Sequence, residues 1–293
     1  MSKYRYLTAG KMKVFSLGLL ILSVLAVNAH AGPISLGTAS SYAVLGEAGV
    51  TNTGPSVIHG DVGGSTGTPA VTGFPPGIVV APGVVLTGSV TNFNDATTAY
   101  TTAQGLLGGT DLTGDTLGVG VASDLIAGVY KFSSSASLNG TLILDAGGTN
   151  NASWTFQIGS ALTTASASTV EVINAGGPGA FGGGITWAVT SAATLGTTTT
   201  FLGTIISQAK TALDTGATIG CGRAISLDAS VTLDTNVIDT GCVVTAGTGG
   251  TGGTGGTITP PTPLPEGGST LLYLCSFLLP LGAMRAFRFR RSI

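Results

Sequence analysis

Residues 193–236 read ATLGTTTTFLGTIISQAKTALDTGATIGCGRAISLDASVTLDTN. Three leucines in this stretch are each followed by a turn-forming cluster. They are Leu195-Gly196-Thr197-Thr198-Thr199-Thr200, Leu213-Asp214-Thr215-Gly216-Ala217-Thr218 and Leu233-Asp234-Thr235-Asn236. Upstream the phrase returns at Leu138 and at Leu162-Thr163-Thr164-Ala165-Ser166-Ala167. Thr51-Asn52-Thr53-Gly54-Pro55-Ser56 is an N-terminal counterpart. From Leu138 onward the separations are 24, 33, 18 and 20 residues, the long one holding the loop AGGPGAFGGG at 175–184. Short β-branched and aromatic runs lie between the clusters: Val129–Ser133, Thr141–Leu144, Trp154–Ile158, Thr169–Ile173, Ile185–Val189, Phe201–Ile206 and Ser230–Leu233. Some alternate apolar and polar residues, as in Trp154-Thr155-Phe156-Gln157-Ile158, the mark of strands with two different faces. An imperfect repeat of about twenty residues with about three short strands per interval describes a β-solenoid. A β-sandwich shares the short strands and regular turns, but the returning Leu-x-Thr phrase favours the solenoid. In register, Thr164, Thr197, Thr215 and Thr235 would form one rank along it.

One segment breaks the pattern. Asn94-Asp95 caps a run in which Ala96, Ala99, Tyr100, Ala103, Leu106 and Leu107 share one helical face, and Gly108-Gly109 ends it. The expected fold is therefore all-β, a solenoid with one α-helix packed alongside.

Composition narrows the function. The chain has 293 residues, 48 of them Gly, with 43% hydrophobic and 8% charged residues and a formal net charge of −2. Eight of the eleven basic residues lie in the terminal segments. Between residues 32 and 264 only Lys131, Lys210 and Arg223 face twelve acidic residues, nine net negative charges. A body so poor in cations cannot neutralise phosphates, which excludes nucleic acid as a partner.

The ends carry targeting signals. Residues 1–31 have a basic region from Lys3 to Lys13, an apolar core from Val14 to Val27 and the small-x-small site Ala29-His30-Ala31, a secretory signal peptide. Residues 32–246 form the body. The linker at 247–263, GTGGTGGTGGTITPPTP, is a flexible coil stiffened by proline. Residues 264–293 hold Pro265-Glu266-Gly267-Gly268-Ser269, a short apolar transmembrane run from Thr270 to Ala283, and Arg285, Arg288, Arg290 and Arg291. This arrangement resembles the PEP-CTERM class of bacterial sorting signals, with Pro265, Glu266 and Gly267 at the motif in place of the commoner Pro-Glu-Pro. The resemblance implies an exosortase-type partner at the C-terminus. The body is then exported to the cell surface or beyond, touching the inner membrane only through the C-terminal segment before processing. In such a compartment Cys221 and Cys242, 21 residues or one solenoid turn apart, read as a disulfide, with Cys275 outside it.

No catalytic constellation emerges. His59 is the only histidine of the mature body, so a histidine-based triad would have to be built on it; within Val57-Ile58-His59-Gly60-Asp61 it reads as a turn residue, and one histidine makes no zinc spacing. Gly60–Gly67 lacks the Gly-Lys-Ser/Thr ending of a phosphate loop. Asp111 and Asp115 lack the ligand density of a calcium loop. Asp145, Asp214, Asp228 and Asp234 read as turn residues at strand ends. The expectation is a non-enzyme with no cofactor and no metal.

Phrases in order across the body give a more specific lead: LGTASSYAVL (36–45), VTNTG (50–54), GDVG (60–63), VTGFPPG (71–77), NDATTAYTTA (94–103), GVYKFSSSASLNGTLILDA (128–146), WTFQIGSALTTAS (154–166), TWAVTSAATLGTTTTFLGTI (186–205) and TGATIGCGRAISLDASVTLDTN (215–236). Together they resemble the microbial ice-binding protein family over residues 35–238. The resemblance implies an irregular, right-handed, roughly triangular β-solenoid whose coils need not stack in chain order, a helix along it, and one flat face that adsorbs to ice. It also implies a loose Thr-Ala/Gly-x-Thr/Asn form for the ice-binding residues. Thr215 to Thr218 matches it fully; Thr197 to Thr200, Thr164 to Ala167 and Thr53 to Ser56 match in part. The expected ice-binding set is thus Thr53, Ser56, Thr164, Ser166, Thr197, Thr199, Thr200, Thr215, Thr218 and Thr235. A structural or adhesive module of the cell envelope, using the same face, is the alternative.

Overall fold

The computed structural model describes residues 32–64, 71–87, 90–176, 179–180, 184–244 and 256–258. The expected signal peptide, the expected C-terminal sorting segment with its transmembrane run, and most of the expected linker lie outside them. Among the described residues no helix is long and apolar enough to cross a membrane.

Short strands wind into three parallel sheets of nine, eight and eight strands, and each coil contributes one strand to each. The coils do not stack in chain order. Coils at residues 110–126, 128–145, 153–175, 184–202, 204–220 and 224–239 follow one another along the axis. The first two coils of the chain, 42–59 and 61–80, then sit beyond the last one. Val44 pairs with Ala224, Val50 with Val231 and Val57 with Val237, so all three sheets continue without a break.

This order leaves the chain at the wrong end after its first two coils, and the helix Val90–Gln104 carries it back. At about 1.5 Å per residue the helix spans roughly 22 Å, or four to five coils at about 4.8 Å each. Its small apolar stripe, Ala96, Ala99, Tyr100 and Ala103, packs on Leu45, Ala188, Ile206 and Ile225, which point outward from the nine-stranded sheet. Alanine on the helix allows this close approach. The helix begins a turn earlier than Asn94-Asp95 suggested. Asp95 does not cap it but accepts bonds from Thr38 N and Oγ1, both 2.7 Å, tying it to the turn Gly37–Ser41. The helix also ends earlier than expected, at Gln104, and Leu107 is 84% exposed. Three carbonyls at that end, of Ala103, Gln104 and Leu106, accept bonds from Gln157 Nε2 at 2.9, 3.2 and 2.8 Å. A helix end leaves such carbonyls without partners, and the buried amide supplies them from the sheet beneath.

The interior is filled by ranks of one residue per coil. An aromatic column runs from Tyr130 through Phe156 and Trp187 to Phe201, with Phe156 and Trp187 stacked at 3.8 Å. The run Phe201–Ile206 is two strands rather than one, Thr200–Leu202 and Thr204–Ser207, turning at Gly203 with φ +102°. A side chain at Gly222 would come within 2.0 Å of the Gly203 carbonyl oxygen, so this corner needs glycine in neighbouring coils.

The last coil ends at Asp239, and the chain beyond it keeps contact with the body. Cys221 and Cys242 are joined, with a Cα separation of 4.6 Å. The chain then adds an antiparallel strand to the sheet that carries Thr169–Ala175. Val243–Val244 pairs with Gly179–Ala180, and Gly256–Ile258 pairs antiparallel with Thr169–Ala175, burying Ile258 to 2%. Ile258, between glycine-rich and proline-rich runs, has an apolar side chain that the body can cover, and this strand belongs to the body rather than to a free linker.

Candidate functional site

Of the three sheets, one lies under the helix and one takes up Gly256–Ile258 as an added antiparallel strand. The other eight-stranded sheet, from Val71–Thr72 at one end to Thr116–Leu117 at the other, is bare among the described residues. Its strands are only two or three residues long, and their central outward position forms one rank. In spatial order the rank is Thr116, Ser137, Thr163, Thr194, Ala212, Thr232, Thr51 and Thr72. All eight are exposed or half-exposed. Seven intervals of about 4.8 Å give a straight row roughly 34 Å long. The hydroxyls of Thr51, Thr163, Thr194 and Thr232 make no bond to other described residues, so water is their partner. The rows on either side are small and neutral over three neighbouring coils: Ser135, Ala161 and Ala192 on one side, Asn139, Ala165 and Gly196 on the other. Charge enters only in the next two coils, at Lys210, Asp214 and Asp234.

The sequence-derived set maps only partly onto this face. The inward rank next to it contains Leu117, Leu138, Thr164, Leu195, Leu213, Leu233 and Asn52. Because Leu162 pairs with Ala193, Leu162 is not the equivalent of Leu195. Thr164 occupies the leucine position and is buried. It hydrogen-bonds Thr199 Oγ1 at 2.7 Å and accepts from Gly196 N at 2.9 Å, which is what a buried hydroxyl requires. Thr199 is buried with it. Ser56 is also interior, donating to Asn52 Oδ1 at 2.6 Å and accepting from Asn236 N at 2.9 Å. Thr218 has 0% exposure on the sheet that carries Thr169–Ala175. None of these four can reach an external surface.

The remainder of the set follows the corner between sheets. Thr200, half-buried, has already turned onto the neighbouring sheet. Ala167, Thr198, Gly216 and Thr235 are the successive left-handed corner residues, with φ between 56° and 73°. Backbone bonds from Ala167, Thr198 and Gly216 to the carbonyls of Thr197, Thr215 and Asp234 place Ser166, Thr197, Thr215 and Asp234 in one rank. Thr235 therefore falls one position past Thr215, not beside it. Asp234 accepts from the hydroxyls of Thr215 at 2.5 Å and Thr235 at 3.2 Å, which commits both to protein. Thr53, Ser166 and Thr197 are exposed, at the edge of the threonine sheet and its corner.

Threonines 51, 72, 116, 163, 194 and 232, which form the straight rank, were not in the sequence-derived set. They stand one residue before the inward leucine rank rather than after it, and period-two alternation about Leu195, Leu213 and Leu233 was the signal that could have found them.

The Ice-binding-like family model matches residues 44–239. This chain belongs to that family. The ice-binding-like chain is 45% identical over 230 residues to an ice-binding protein of Nostoc sp. (strain HG1), covering 77% of this chain and 81% of that protein. It is 34% identical to an ice-binding protein of Flavobacterium frigoris (strain PS1), covering 70% and 75%. Among solved structures it resembles the ice-binding protein of the Antarctic ascomycete Antarctomyces psychrotrophicus, at 36% identity and a TM-score of 0.63, covering 71% of this chain and 98% of that one. An ice-binding protein from an Antarctic biological consortium gives 35% identity and a TM-score of 0.62, covering 71% and 91%. The family match spans all three sheets and the helix, so the bare sheet belongs to the shared domain. Among the described residues of the ice-binding-like domain, no group of three or more His, Cys, Asp or Glu side chains could hold a metal ion.

Proposed function

We propose that the protein binds ice through the bare threonine sheet and slows ice growth and recrystallisation by adsorption, without catalysis. The observation that carries this reading is the in-register outward rank from Thr116 to Thr72. Ice presents a repeating lattice of oxygens, so a binder gains from area, flatness and regular spacing more than from a pocket. Threonine supplies a hydroxyl that can hold an ordered water and a methyl that limits competing hydration. The solenoid holds each side chain in place beforehand, so little ordering entropy opposes contact. The neutral block Ser135–Asn139, Ala161–Ala165 and Ala192–Gly196 is the preferred contact, because the charges of Lys210, Asp214 and Asp234 would hold water in orientations unlike ice. Thr53, Ser166 and Thr197 border the contact and tune it. The names of the relatives, ice-binding proteins at up to 45% identity, support the reading.

The protein acts outside the cell in this account. Residues 1–31 direct export, and residues 264–293, with Pro265-Glu266-Gly267, are processed by an exosortase-type enzyme that leaves the body displayed or released. A disulfide between Cys221 and Cys242 suits an oxidising compartment.

The test is thermal hysteresis and ice recrystallisation inhibition by the purified protein, with Thr163→Tyr and Thr194→Tyr beside it and circular dichroism as the fold control. Activity in the parent that falls several-fold in both variants is expected. A folded parent without effect on ice overturns the reading.

A further inference from the structure

Arg223 is the one arginine between residues 32 and 264. Its side chain is half-buried, and that partial burial pulls its pKa down. Its hydrogen-bond partner is a single carbonyl: Nε and Nη2 both donate to Ser40 O, at 3.1 and 2.7 Å. A guanidinium has five N–H donors, so most of its hydrogen-bonding capacity is left to water or to a ligand.

The same side chain lines a cavity of about 220 Å³ at the seam between the N-terminal segment and the last coils. Pro33, Ile34 and Leu36 roof it, and the Cys221–Cys242 disulfide forms one wall. Thr186 and Thr204 bring hydroxyls to the lining, Thr240 lines it with a hydroxyl that donates to His59 O at 3.2 Å, and no Asp or Glu among the described residues does. Thr186 and Thr204 are register partners in adjacent strands. Arg223 continues the series into the next coil, since Ile205 N donates to Arg223 O at 2.8 Å. Hydroxyls and a guanidinium thus stand at the regular strand spacing of about 4.8 Å in a space with apolar walls. Liquid water occupies about 30 Å³ per molecule, so the cavity holds several waters or one tetrahedral oxyanion.

The geometry points to a binding site for a small oxyanion, of the sulfate, phosphate or short carboxylate class, held by Arg223 with Thr186 and Thr204. The anion takes up the free N–H groups of the guanidinium through charge-assisted bonds. It also joins residues 33–36 to the disulfide-bonded coil, fastening the N-terminal segment to the end of the solenoid body. This site lies on the helix-covered side of the molecule and is independent of the threonine sheet.

Sulfate is the probe. It is titrated into the purified chain against sodium chloride of equal ionic strength, following the Tm and the Arg223 Nε–H resonance, which Arg223→Gln assigns by its disappearance. A site gives a rise in Tm that follows ligand saturation and a resonance shift that levels off at the same concentration. Sulfate also stabilises proteins generally by exclusion from their surface, and that component rises without saturating in every variant. Arg223→Gln should weaken half-saturation by about tenfold or more, and Thr186→Val with Thr204→Val should weaken it while leaving the Ser40 contact intact. If Arg223→Gln does not fold, the threonine pair decides. A parent with neither saturable response, or a response equal in parent and variants, overturns the site.

Discussion

Gln157→Leu tests how the helix is held. Gln157 points outward from the nine-stranded sheet, is buried beneath the helix, and its amide nitrogen serves the carbonyls of Ala103, Gln104 and Leu106 at 2.9, 3.2 and 2.8 Å. Leucine is close in volume, so apolar contact is kept while two N–H donors disappear. A net protein hydrogen bond is worth about 1 kcal/mol, and a polar group left buried without a partner costs about 1–3 kcal/mol. Ala103 is fully buried, so its carbonyl has no easy access to water, whereas the carbonyls of Gln104 and Leu106 lie nearer the surface. The expected loss is about 2–4 kcal/mol. For a body of this size each kcal/mol shifts Tm by about 2–4 °C, a fall of roughly 5–15 °C in all. Calorimetry reads the fall, and amide hydrogen exchange locates it: residues near the C-terminal end of Val90–Gln104 should lose protection first. Gln157→Glu should be worse than Leu at neutral pH, since it turns a carboxylate toward three acceptors. A Gln157→Leu variant with an unchanged Tm would refute the reasoning and assign helix docking to the alanine stripe alone.

Other expectations follow from the same contacts. Thr164→Val should cost about 1–3 kcal/mol by leaving Gly196 N without its partner and removing the bond to Thr199 Oγ1, which keeps its bond to Ala165 O; Thr164→Val/Thr199→Val should cost less than the sum of the two single changes, a coupling that a double-mutant cycle reads from denaturant unfolding. Asp95 has its pKa held below the usual carboxylate range by the backbone and side-chain bonds from Thr38. A carboxyl lowered in the folded state contributes stability above its unfolded pKa of about 3.9 and loses it as pH falls through the lower folded value. Tm measured from pH 6 to 2 should therefore fall less in Asp95→Asn than in the parent. Tyr130 is pushed up to about 12, first by burial and then by the charge of Asp124, and its hydroxyl donates to Ile126 O at 2.6 Å. Its contribution is complete below the unfolded value of about 10 and is lost as pH rises through about 12; Tyr130→Phe should remove its phenolate absorbance from an alkaline titration and flatten stability over that range.

What the sequence disclosed and what it hid have a common origin. Composition and the returning leucines suffice for a solenoid, because one buried residue per coil must recur for the interior to fill. The same leucines mislead at Leu162, where a threonine takes the rank position and its hydroxyl is satisfied by a second buried threonine two coil-corners away in sequence. Nothing local marks Thr164 as interior, since its partner Thr199 lies 35 residues on. The helix stripe at Ala96, Ala99, Tyr100 and Ala103 was legible from periodicity. Its start was not, because Asp95 has the chemistry of a cap and is used instead to reach Thr38, 57 residues away. Placing the coils at 42–59 and 61–80 beyond the last coil depends on strand pairing across the whole chain, which residue patterning does not encode. For the candidate face, the threonines after each leucine drew attention because they cluster. The ones before each leucine are single residues, and only the register of eight strands turns them into a row.

The most direct test of the central claim is adsorption of fluorescently labelled protein to a growing ice hemisphere, comparing Thr163→Tyr on the threonine sheet with Thr141→Tyr on the sheet that carries Thr169–Ala175. Both positions are exposed, so both variants should fold. The account predicts that the parent and Thr141→Tyr are incorporated into ice while Thr163→Tyr is largely excluded. Exclusion of Thr141→Tyr with full incorporation of Thr163→Tyr would contradict it and move the ice-binding face to the other sheet.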